Sequence, residues 1–146
     1  MKADCMEKKV IDVKIVSTWK EDDIVELYKA GGWWKDSYDP EGIPALIRGS
    51  FAFAVAVDQT SGKAIGMGRV LSDHVSDAYI QDLIVFPQYR GHHVGTKLVR
   101  ALLDHCQSKG VAWIALIAEP GTDVFYQTLG FKPMERYVPM RFPSER

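Results

Sequence analysis

Leu83-Ile-Val-Phe-Pro-Gln-Tyr-Arg-Gly-His-His-Val-Gly-Thr96 decides the fold. It opens apolar and β-prone, breaks at Pro87, and passes through Arg90 and Gly91 into a segment with helical spacing. Over residues 94–109 the apolar positions Val94, Leu98, Ala101, Leu102 and Cys106 form one stripe, with Leu103 at its margin. Gly110 is the expected stop. Residues 111–117 (VAWIALI) then read as a strand buried on both faces. Strand, helix and strand in that order form a crossover unit, so the two strands are expected to run parallel.

Upstream, the pattern is that of a meander. Residues 51–57 (FAFAVAV), 63–71 and 78–86 (AYIQDLIVF) read as three strands. Ser61-Gly62 and residues 72–76 are short turns between them, which makes the strands antiparallel neighbours. The first of them is bulky on one face and all alanine on the other, so a helix can pack close to the alanine side. Residues 10–16 form a first strand and residues 21–30 a helix, capped by Ser17 or Thr18 and ended by Gly31-Gly32. A loop over residues 33–44 leads to a short helix at 44–48. Downstream, a helix at 122–129 stops at Gly130, and residues 131–140 make a last strand interrupted by Pro133 and Pro139. The expected class is α/β with a mixed α+β sheet: an antiparallel N-terminal half, a βαβ C-terminal half, and a single domain over residues 1–146.

Composition narrows the function. With 47% hydrophobic and 25% charged residues the chain has an ordinary globular balance, which excludes a disordered polymer. A net charge of −1 removes the electrostatic case for nucleic acid. Cys5 and Cys106 are too few for a disulfide framework and have no metal-type spacing. His92 and His93 are adjacent and share no helix face, and His74 and His105 are scattered, so no metal is expected. The polar start, residues 1–9, lacks a signal-type core, and the longest apolar runs fall far short of the ~20 residues that span a bilayer. A soluble, reduced, cytoplasmic protein with no membrane partner is the expectation.

The chemistry concentrates in the strand-to-helix loop. Amides there and in the first helical turn have no partner inside a helix, and with the helix dipole they suit a phosphate or pyrophosphate. Gly91 permits a sharp turn, Gly95 a close approach, and Arg90 adds a forked cation. The loop matches neither a Walker sequence nor a dinucleotide fingerprint.

The run Pro87-x-Tyr89-Arg90-Gly91-x-x-x-Gly95 resembles the loop of the GCN5-related N-acetyltransferase superfamily. Phe125-Tyr126-Gln127-Thr128-Leu129-Gly130-Phe131 resembles a second segment of the same superfamily, one strand further on. The chain departs from the family pattern at His93, where a glycine is usual. The resemblance implies the acyl-coenzyme A N-acyltransferase fold and acetyl-coenzyme A as co-substrate. The pantetheine arm would then pair with the main chain of Leu83, Ile84 and Val85, the pyrophosphate would sit on Arg90, Gly91, His92, His93, Val94, Gly95 and Thr96, and Phe125 would lie beside the cofactor.

The same resemblance implies direct transfer to an amine, with Tyr126 as proton donor to the departing thiolate. An alkyl amine must first lose a proton. Asp82, a carboxylate in an apolar stretch, is the candidate acceptor of that proton; equally, it could hold a turn or a basic side chain. Tyr79 and Gln81, pointing to the opposite face, could order a water instead, and Glu119 is a further candidate. Trp33, Trp34 and Tyr38, with acids nearby, suit a cationic small-molecule or peptide amine, or else pack as core under a long loop. Two other functions stay open: a non-catalytic acyl-coenzyme A-binding module, and an interaction domain using the Trp33-Trp34 surface, which a homodimer could also cover.

Overall fold

The computed structural model describes residues 10–143. Cys5 and the polar N-terminal stretch lie outside them. The chain divides into two compact units, one running through Ala115 and one beginning at Leu116.

The first unit carries β1 (Ile11–Ile15), α1 (Glu21–Ala30), α2 (Ile43–Gly49), β2 (Ala52–Asp58), β3 (Lys63–Ser72), β4 (Asp77–Val85), α3 (Val94–Ser108) and most of β5 (Trp113–Leu116). The strands form one mixed sheet in the order β1-β2-β3-β4-β5, and β1 to β4 pair antiparallel. Single-turn 3-10 segments at Pro40–Gly42 and Pro87–Tyr89 precede α2 and the α3 loop.

Every residue of β2 is buried, so its two faces show how the sheet is packed. Phe53, Val55 and Val57 join Ile24, Leu27 and Tyr28 of α1 and Ile43 and Ile47 of α2 in one core. Ala54 and Ala56 stand opposite Gly68 and Gly66 of β3 on the other face. A Cβ on Gly66 would lie 3.1 Å from Leu98, and one on Gly68 would lie 3.2 Å from Leu102. The floor of alanine and glycine therefore lets α3 settle directly on the sheet. Its side chains Val94, Leu98, Val99, Leu102 and Cys106 are buried there. Full burial of each large aliphatic among them stabilises by about 1.5–3 kcal/mol.

Four expectations change. The cap of α1 is Lys20, without a side-chain bond, because the helix starts at Glu21 and leaves Ser17 and Thr18 too early to reach its amides. Val99 belongs to the buried stripe of α3 and Ala101 only borders it, since the helix packs against four strands rather than along one seam. The fifth strand is not buried on both faces: Trp113 is 47% and Ile117 61% exposed. It ends the sheet order, and an edge strand has fewer neighbours to cover it.

In the second unit α4 (Asp123–Thr128) forms as expected and closes at Gly130, φ 100°. Residues 131–140 do not form a strand. Instead Tyr137 N–H closes a turn on the Met134 carbonyl, with Arg136 at φ 71°. Pro133 and Pro139 each remove a ladder donor, which suits such a break.

Candidate active site

The loop between β4 and α3 is tied at its base. Tyr89 donates its hydroxyl to the buried Asp58 Oδ2 at 2.6 Å, and that bond raises the pKa of Tyr89. Arg90 N–H bonds the Pro87 carbonyl, and Arg90 Nε donates to the Val85 carbonyl at 3.2 Å. One main-chain group expected to face a ligand, the carbonyl of Val85, is thus engaged within the chain. Beyond Arg90 the backbone turns left-handed twice, at Gly91 (φ 84°) and at His93 (φ 62°). His93 therefore adopts the conformation that a glycine there would take, at the cost usual for a side chain with positive φ.

The consequence is a run of donors. His93 precedes α3 without a side-chain cap, and the first backbone bond into the helix is Lys97 N–H to the His93 carbonyl. The N–H groups of residues 91–96 find no acceptor among the described residues. They sit at the positive end of a fifteen-residue helix, so the loop is suited to an anion. An arginine with free terminal nitrogens adds to that field.

Asp82 occupies a β-bulge. Met67 pairs with Ile84 and Arg69 with Gln81, so Gly68 alone faces both Asp82 and Leu83. Asp82 itself is left-handed, φ 58°. Strand alternation would put it on the face opposite Gln81. The bulge instead turns it onto the face of Arg69 and Gln81, which corrects the expectation of opposite faces. There Asp82 Oδ2 accepts from Arg69 Nε at 2.7 Å and from Tyr28 Oη at 2.7 Å. Leu83, Ile84 and Val85 follow, all half-buried.

Neither Tyr28 nor Arg69 stands out in the sequence as a site residue. Tyr28 reads as one more apolar position of a helix, although a buried hydroxyl always needs a partner. Arg69 reads as a strand residue, although a cation amid apolar neighbours needs one too. Those two needs are the signal that could have found the pair.

The aromatic loop continues from Tyr28. Its ring lies 6.2 Å from Trp33 and 6.5 Å from Trp34, and Trp34 lies 5.4 Å from Tyr38, edge to face. Trp33 and Trp34 pack on the core yet stay half-buried. Gly31 is needed here: a Cβ would come within 2.6 Å of the Trp33 ring.

In the second unit Tyr126 stands between Phe125 (5.0 Å) and Phe131 (5.8 Å). Burial pushes its pKa above the ordinary tyrosine value, and the Glu119 charge adds to that. Cys106 is buried in α3 and its thiol is pushed up by burial, so it is core. His74 and His105 flank Phe51 at 4.7 and 5.1 Å, and no group of three His, Cys, Asp or Glu side chains among the described residues is arranged to hold a metal. No helix among them is long and apolar enough to cross a membrane.

The profile of the acetyltransferase (GNAT) family matches residues 17–131, and the chain belongs to that family. GCN5-related N-acetyltransferase 2 of Arabidopsis thaliana, a chloroplastic protein, is 39% identical over 74 residues, 51% of this chain and 29% of its own. The chain thus spans under half the length of this relative and of others that it matches. A GNAT family acetyltransferase from Streptococcus pneumoniae superposes with a TM-score of 0.77 at 24% identity, covering 94% of this chain and 100% of that one. AAC(6')-Iy, solved with the bisubstrate analogue CoA-S-monomethyl-acetylneamine, gives a TM-score of 0.72 at 20% identity, covering 92% and 99%.

Proposed function

We propose that this chain transfers an acetyl group from acetyl-coenzyme A directly to a primary amine of a small molecule or peptide, in the cytoplasm, with no covalent enzyme intermediate and no metal. The observation that carries the reading is the row of partnerless amides over residues 91–96 at the start of α3, beside Arg90. It fits a pyrophosphate, and the family supplies the nucleotide thioester that has one.

When bound, acetyl-coenzyme A supplies an activated acyl group as a thioester. Arg90 and the amides of Gly91, His92, His93, Val94, Gly95 and Thr96 hold its anionic end. Main-chain groups of Leu83 and Ile84, with the Val85 N–H, hold its arm, and Phe125 covers it. Asp82 accepts the proton that the amine must shed, through the Oδ1 atom that its two donors leave open. Tyr126 donates a proton to the departing sulfur. Trp33, Trp34 and Tyr38 wall the acceptor, a setting that suits a cation carried on an apolar or aromatic body.

Titration calorimetry with coenzyme A tests the first half of the reading. Arg90→Ala should weaken binding roughly tenfold, the loss of about one charge-assisted hydrogen bond. A wild-type chain that binds no coenzyme A overturns the proposal. A thiol-release assay across an amine library, with the acetyl mass increment on the product, tests the second half. Tyr126→Phe should lower turnover about 100-fold, the effect usual for a lost general acid. For Asp82→Asn the pH–rate profile should lose its acidic limb; an unchanged profile removes Asp82 as proton acceptor. Coenzyme binding without turnover of any amine would leave a binding module.

A further inference from the structure

We infer that Arg69 and Tyr28 are positioning residues for the acceptor amine: by converging on Oδ2 of Asp82 they aim its other oxygen, Oδ1, at the substrate's ammonium group. The role rests on the transfer reaction proposed above.

The bulge is the first reason. Asp82 sits at φ 58°, a conformation in which glycine would be free of strain and a side chain is not. A residue kept there at a cost should be kept for what its side chain does. The bulge brings the carboxylate out of the strand's alternation and onto the face where α1 packs.

The second reason is the asymmetry of the bonding. Arg69 Nε and Tyr28 Oη both reach the same oxygen, each at 2.7 Å. A carboxylate serving only as a brace would be expected to use both of its oxygens. Among the described residues Oδ1 has no donor, and the Asp82 side chain keeps 23% of its surface. Oδ1 can only accept, and what a primary amine presents before reaction is an ammonium with three donors.

The third reason is that each donor is fixed from a different element. Arg69 belongs to β3, with 16% of its side chain exposed, and its Nη1 reaches Ser50 Oγ just after α2 at 3.5 Å. Ser50 Oγ in turn donates to the Leu46 carbonyl. Tyr28 belongs to α1 and is buried, and burial first and Asp82 second raise its pKa, so it remains a donor across the working range. Among the described residues no other charged or titratable group is bonded to Asp82. The line Ser50, Arg69, Asp82, Tyr28 therefore ends against Trp33 and Trp34. It joins a point of negative charge to aromatic faces, which favours an amine carried on a short aryl-alkyl arm.

Steady-state kinetics with saturating acetyl-coenzyme A, using tryptamine, tyramine and spermidine as probe acceptors, test the inference. Arg69→Gln should raise the acceptor KM at least tenfold and lower kcat, since Asp82 also takes the amine's proton, while the coenzyme A Kd stays within about twofold. Arg69→Lys should recover part of that KM, because an ammonium can still reach Oδ2. Tyr28→Phe, which keeps the ring in the core, should raise KM about threefold without changing coenzyme binding, and it decides the matter if Arg69→Gln does not fold. The aryl-alkyl probes should have lower KM than spermidine. Equal KM for Arg69→Gln and wild type overturns the inference while leaving the transferase standing. So does a parallel loss of stability, kcat and coenzyme affinity, which would mark a brace. A wild-type chain that acetylates none of the probes overturns the preference for an aryl-alkyl arm, and one that acetylates no amine of the library overturns both readings.

Discussion

The two faces of the same sheet are built on opposite plans. Under α3 the floor is Ala54, Ala56, Gly66 and Gly68, small and free of charge, although β2 and β3 shift register just past Ala56. Under α1 the strands carry Arg69 and Asp82, and β4 breaks its register to present them. The first face spends its residues on contact: small side chains below let large ones above be buried fully. The second gives up regular pairing and accepts a left-handed aspartate in order to place a carboxylate. Close packing holds the sheet together, and the face with charged side chains carries the candidate chemistry.

Substitutions can break or sharpen that contrast. Leu102→Ala, on the packed face, should cost the most, about 2–5 kcal/mol of stability from lost burial and a cavity over Gly68. Urea unfolding reads it, and coenzyme binding to the folded fraction should survive. Tyr28→Phe, on the other face, should cost about 1.5 kcal/mol, the low end for a bond to a charged group because Asp82 keeps Arg69. Its sign with pH is distinctive. Tyr28 holds its proton more tightly when folded, so its contribution is complete below about pH 10 and declines as pH rises further. The phenylalanine variant should lose that alkaline slope; an identical slope in both proteins would remove Tyr28 as its source. Gly66→Val should cost about 1–3 kcal/mol by overpacking, since its Cβ would also stand 3.2 Å from the Ile84 carbonyl. A thermal midpoint unchanged from wild type would show the floor to be looser than drawn. Smallest is His93→Gly: relief of a left-handed side chain, offset in part by glycine's entropy, should raise stability by up to about 1 kcal/mol. Lower stability would show that the histidine side chain contributes to the loop.

The same contrast explains what could be read in advance. The packed face was legible, because an alanine-only face and a helix of known spacing are period signals. The bounds of α1, the antiparallel meander and the glycine-bearing loop before α3 were legible for the same reason. The bulge at Asp82 was not: a period-two pattern assigns every strand residue a face, and nothing in an aspartate announces a positive φ. Nor was the partnership of Tyr28 with Asp82, 54 residues apart, since only the folded sheet brings them together. The missing strand at residues 131–140 was half legible in its two prolines. As for Tyr126, the motif that marked it lies in the second unit, and its proposed role rests on that resemblance.

One bond sets how the anion loop meets its ligand. Tyr89 moors the loop to Asp58 at the end of β2, and Asp58 also accepts the N–H of Thr60 in the β2–β3 turn. A cradle moored to a fully buried strand holds its shape before anything arrives. Little ordering is then left for association to supply, so cutting the mooring should show itself as faster escape of the nucleotide more than as slower capture.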